Sequence, residues 1–217
     1  MLAPDLKRRI LAATTSEPSP TRRQRLIRSA IRMASALAVP LLLFMLVGGP
    51  QVGPRPLGLV AMTALGTSGI AAAALFVAVG RGSSMLGRST GRLLGTAAIV
   101  PMAFLFWKVA ASWGVPHMMD PWPSRPGLRC FALTVLFAAW PVAALVWERW
   151  GSDAVHPRTL GVALGVATGA SAAALVDLWC PVGNVPHLLT GHLAPIVLLG
   201  GLGALVGART LGVRSRG

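Results

Sequence analysis

Cys130 and Cys180 are the two cysteines of a 217-residue chain. A thiol pair can be oxidised, and as thiolates it can bind soft metals. His187 and His192 follow Cys180 closely, and His117 lies upstream of Cys130. Thiolates with imidazoles suit zinc, cadmium or copper. The spacing Cys180-x6-His187-x4-His192 matches no compact zinc motif, so a preformed structural zinc site is not expected. Asp177 lies three residues before Cys180 and shares its helix face. A carboxylate inside a membrane segment is a candidate functional group; this one is near the interface, where solvation or a partner such as Arg129 or His192 is expected to satisfy it. The bland alternative is two cysteines acting as small hydrophobes and histidines acting as hydrogen-bonded caps.

The elements that must position these residues follow from composition. Hydrophobic residues make up 54% of the chain and charged residues 12%, with a mean hydropathy of +0.66. A soluble domain carries roughly 25% charge. Half of that cannot cover a water-facing surface, which excludes an ordinary cytosolic enzyme, a disordered chain and a coiled coil. Six apolar runs fall at 33–49, 57–80, 93–113, 130–147, 159–179 and 188–208. The first and fourth, at 17 and 18 residues, are at the lower limit for crossing ~30 Å of hydrocarbon as helices, where the backbone must satisfy its own hydrogen bonds. The expected fold is all-α, a polytopic membrane protein with six transmembrane helices over 33–208. A segment 1–32 precedes it and a basic tail 209–217 follows. The polar start does not read as a signal peptide.

The net charge of +14 is unevenly placed. Sixteen Lys and Arg fall in 1–32, the second and fourth loops and the tail. Four, including Lys108, fall on the other side. Basic residues mark the cytoplasmic side, so both termini are expected in the cytoplasm of a bacterial inner-membrane protein, with no direct nucleic-acid contact. Cys130 then opens the fourth span and Cys180 closes the fifth, at the same periplasmic rim of an antiparallel helix pair. Disulfides are permitted there, but a bridge depends on Cα separation, which sequence does not give. Leu2, Leu6, Ile10 and Ala13 make an apolar stripe of helical spacing. A helix over 4–16 that short is marginal alone, so it is expected to dock on a cytoplasmic protein. The basic stretch 22–32 is expected on anionic lipid.

Gly161, Gly165 and Gly169 in the fifth run and Gly200, Gly203 and Gly207 in the sixth have the small-residue spacing that lets membrane helices approach closely. Two rivals are weighed. Gly66-Thr67-Ser68-Gly69 fits a rhomboid-like serine protease with His192 as base. Ser68 would lie ~17 Å deep and His192 ~6 Å deep, too far apart for proton transfer. A small transporter or channel would want charged groups near the bilayer midplane, whereas Lys108 and Asp177 are near run ends. No catalytic, nucleotide-binding or cofactor motif stands out, so an enzyme is not expected.

Leu178-Trp179-Cys180-Pro181, followed by Val182 to Gly191 and His192-Leu193-Ala194, resembles the C-terminal signature of NrsF-like membrane anti-sigma factors. The resemblance includes six spans, a Cys-Pro ending the fifth, a histidine twelve residues on (His192) and a cysteine opening the fourth (Cys130). It implies sequestration of an extracytoplasmic-function (ECF) sigma factor at the cytoplasmic face and release on periplasmic stress. Cys130 and Cys180 would be the sensing pair, supported by Asp177, His187 and His192. Leu2, Leu6, Ile10 and Ala13 would bind the partner. Acidic residues common in the family after Cys-Pro are replaced here by Val182-Gly183-Asn184, which favours a thiol role over a metal-ligand role. No His-x3-Cys-x2-Cys occurs, so the chain is not of the soluble zinc-binding class of anti-sigma factor.

Overall fold

A computed structural model describes residues 21–50, 55–80, 89–113, 127–150 and 155–212. The expected helix 4–16, with Leu2, Leu6, Ile10 and Ala13, lies outside the described residues, as does His117. Six helices are long and apolar enough to cross a membrane, and no strand occurs among the described residues. They are α1 (Arg22–Leu46), α2 (Leu57–Val79), α3 (Thr90–Ser112), α4 (Leu128–Glu148), α5 (Pro157–Trp179) and α6 (Val185–Thr210).

The first boundary differs from the expected 33–49. Nothing between Arg22 and Met33 breaks a helix, so the basic stretch and the span form one 25-residue helix ending at Leu46. Its start is fixed by a capping box: Gln24 N–H donates to Thr21 Oγ1 (3.2 Å) and Thr21 N–H donates to Gln24 Oε1 (3.0 Å). At the far end of α4, Arg32 pairs with Glu148 at 2.9 Å and lies over the Trp147 ring. Arg149 donates to the Val79 carbonyl at the same end. α1, α2 and α4 are thereby tied together at one end of the bundle.

α5 is the hub. In its most apolar window 78% of residues are buried, and it packs against α2, α3, α4 and most extensively α6. Its residues are mostly Gly, Ala and Val with no polar face, as a helix surrounded by others requires. Thr168 and Ser171 donate their hydroxyls to the Leu164 and Ala167 carbonyls, so these polar groups are satisfied within the helix. The close packing expected of the cysteine-bearing helix is present, and its neighbour is α6. A Cβ at Gly161 would run into the Gly203 carbonyl, one at Gly165 into the Leu199 carbonyl, and one at Gly207 into the Pro157 carbonyl. The two backbones touch, which no larger residue allows.

The outer surface carries Leu42, Phe76, Ile99, Phe106 and Leu205, all exposed, as lipid-facing positions would be. Ser68 is on that exposed face of α2 while His192 is buried, so the two do not meet. Gly66 serves packing: a Cβ there would strike the Trp107 indole of α3.

Candidate functional site

The thiol end of the bundle is assembled from three chain segments. Gly127, at φ +82°, precedes α4 in a left-handed conformation. A Cβ on it would lie 2.9 Å from the Gly191 backbone nitrogen, and one on Gly191 would lie 3.1 Å from the Cys130 Cβ. Two facing glycines therefore let the start of α4 press on α6, which delivers Cys130. Cys180 sits just past α5, where its N–H still donates to the Val176 carbonyl at 2.8 Å. The remaining segment is the first part of α6.

That part is not regular α-helix. Leu189–Leu193 forms a π-helical turn, and the Ala194 N–H reaches back five residues to the Leu189 carbonyl. The cause is in the sequence. Pro195 has no N–H and its ring would crowd the carbonyl four residues back, that of Gly191. A wider turn relieves the conflict. At ~100° per residue an α-helix would splay two residues five apart by roughly 140°. A register of five brings His187 and His192 to one side, with ring centroids 5.8 Å apart. Such insertions recur at functional sites.

The donor atoms of Cys130, Cys180, His187 and His192 all lie within 4.8 Å of one another, and all four residues are buried. Both cysteines are free thiols. Cys180 Sγ is 3.2 Å from His187 Nε2. The His192 ring stacks on Phe104 of α3 with a centroid separation of 6.2 Å. Neither ring nitrogen of His192, 1% exposed, has a hydrogen-bond partner among the described residues.

Beneath this cluster Lys108 of α3 forms an ion pair with Asp177 of α5. Each is 1% exposed. This corrects the expectation that solvation or a partner such as Arg129 or His192 satisfies Asp177. Arg129 instead lies over the Trp179 ring, 4.3 Å from its centroid, and His192 faces Phe104. Lys108 was expected only as a basic residue near the end of its run and not as the partner of Asp177; the signal that pairs them is a lysine within one apolar run matched to an aspartate within another. Arg55 was also not anticipated. It is buried and donates to the carbonyls of Asp177 (3.3 Å), Leu178 (3.0 Å) and Cys180 (3.4 Å), so a cation satisfies the open carbonyls where α5 ends. Among the described residues the buried charged side chains are Arg55, Lys108 and Asp177. All gather at this end and none at mid-depth, where a transport pathway would want them.

Two reactions are open to such a cluster: oxidation of the thiols, or coordination of a soft cation. The Ser68–His192 pairing is not formed, since Ser68 is on the outer face. Nothing matches among curated proteins or among solved structures. A protein family described as negative regulator of sigma F, NrsF, matches residues 11–212, which takes in all six helices and the four donors. The chain therefore belongs to the NrsF family of negative regulators of a sigma factor.

Proposed function

We propose that this chain is an inner-membrane anti-sigma factor that holds an ECF sigma factor at the cytoplasmic face and releases it when periplasmic redox or metal chemistry alters the Cys130–Cys180 cluster. The observation that carries the reading is the family match over 11–212. The excess of basic residues in the N-terminal segment, the second and fourth loops and the tail supports cytoplasmic termini. The same stretch 22–32, helical and with Leu26, Ile27 and Ile31 exposed, suits contact with anionic lipid.

The geometry supplies a route between the two functions. Cys130 and Glu148 stand at opposite ends of α4, ~27 Å apart at 1.5 Å per residue. The thiol end is linked to the Arg32–Glu148 end by α4 itself and by α5, whose backbone contacts leave little freedom for independent movement. A change that draws Cys130 and Cys180 together at one end shifts helices that anchor α1, and with it the partner-binding segment, at the other.

The experiment is capture of purified ECF sigma factors by the full-length chain in detergent. One of them is expected to be retained. Changing Leu6 and Ile10 to Asp should abolish that capture while membrane insertion is unchanged, because charge on the apolar stripe removes its docking face. Undiminished capture by the double variant would refute the docking helix, and capture of no sigma factor by the wild type would refute the regulator reading for this chain.

A further inference from the structure

We infer that Cys130, Cys180, His187 and His192 form a four-coordinate binding site for a thiophilic divalent d10 cation, with zinc or cadmium as the class. The inference deepens the reading above by naming the ligand of the sensing cluster. Its role as the inducing signal rests on that reading; the binding itself does not.

Geometry comes first. A tetrahedral centre with metal–sulfur bonds of about 2.3 Å and metal–nitrogen bonds of about 2.0 Å has donor–donor edges of roughly 3.3–3.8 Å. Here all four donors fall within 4.8 Å of one another, and one edge, Cys180 Sγ to His187 Nε2, is already 3.2 Å. Closing the rest needs side-chain shifts of about 1 Å. A disulfide would need only the two sulfurs. It would not account for two histidines brought to the same point by a π-helical turn.

His192 is the second observation. A buried imidazole with neither nitrogen hydrogen-bonded among the described residues forgoes about 1–3 kcal/mol of hydrogen bonding. It is held by stacking on Phe104 and packed beside His187, facing the sulfurs. Coordination through one nitrogen gives it the missing partner. Charge selects the cation. Two thiolates and two neutral imidazoles around a divalent ion sum to zero, the least costly state for a buried centre in apolar surroundings. Each thiol gives up its proton as the metal–sulfur bond forms, so two protons leave for each cation bound. Lys108 is already neutralised by Asp177.

The test uses the purified full-length protein in detergent, reduced, and titrated with Cd²⁺ as probe. A sulfur-to-metal charge-transfer band is expected to saturate at one cation per chain, with proton release, and to be displaced by Zn²⁺. Cys130→Ser and Cys180→Ser should each remove the tight site. His187→Ala and His192→Ala should each weaken it by more than the roughly 10–100-fold that loss of an outer-shell partner costs. X-ray absorption on the wild-type zinc complex, which needs no variant, should show two sulfur and two nitrogen neighbours. Absence of a saturable band, or a first shell without both elements, would overturn the site. If cation binding fails while sigma capture persists, the metal inference falls alone; if cation binding succeeds and no sigma factor is captured, it is the regulator reading that falls.

Discussion

Replacing Lys108 with methionine is expected to destabilise the bundle by about 3–5 kcal/mol, the range for removing one partner of a buried ion pair. Lys108 and Asp177 are each 1% exposed, and neither has a further hydrogen-bond partner among the described residues. Removing the ammonium leaves a carboxylate with no ion-pair partner among the described residues. Water cannot reach it, and the Arg55 guanidinium is engaged with carbonyls at the end of α5. Asp177→Asn should cost a similar amount by stranding the lysine. The double change Lys108→Met with Asp177→Leu should recover most of the loss, because replacing both members with apolar groups removes the desolvation penalty along with the attraction. Equilibrium unfolding in mixed detergent micelles reads all three. Single variants within about 0.5 kcal/mol of wild type, the usual range for surface substitutions, would mean that the pair is solvated and does not join α3 to α5.

The second large effect is on signalling. With Cys130→Ser and Cys180→Ser combined, transcription from a promoter of the captured sigma factor should stay repressed, and induction by Cd²⁺ or by a thiol oxidant should disappear. Serine keeps the volume but neither bridges nor binds soft metal as a thiolate does. Repression is retained because the cysteines lie at the end of the bundle opposite Arg32 and Glu148. The histidines separate the two signals. A His187→Ala, His192→Ala chain should lose the Cd²⁺ response and keep the oxidant response, since a disulfide needs the sulfurs alone. Constitutive transcription in the double serine chain would show that the thiols hold the repressing state; unaltered induction would return both cysteines to packing.

Much of this architecture is legible in the sequence, for reasons that can be named. Six apolar runs specify six helices because hydrocarbon tolerates no unpaired backbone. The glycine stripes of α5 and α6 announce close packing because only small residues permit it, and the structure puts Gly161 on Gly203 and Gly165 on Leu199. Cys130 and Cys180 are expected at one rim because an antiparallel pair with a short connection must return there. What is not legible depends on helices that are neighbours in space and not in sequence. Lys108 is two helices away from Asp177, and nothing local says that α3 and α5 touch. Phe104 under His192 has the same origin. The π-helical turn is a different case: Gly191 and Pro195, four apart in an apolar run, signal a disturbed helix, and the five-residue spacing of the histidines fits that register and not a regular one. Hence a set of donors that matches no compact motif along the chain becomes a cluster in the fold, completed by Cys130 from α4.

The measurement closest to the central claim follows both ends of the bundle in one sample. The full-length chain in lipid nanodiscs is loaded with its fluorescently labelled sigma factor and titrated with Cd²⁺ under reducing conditions, with the thiolate band and sigma-factor anisotropy recorded together. The account predicts that sigma factor dissociates in proportion to the band and stays bound throughout in the double serine chain. Sigma factor that remains bound while the band saturates would contradict it.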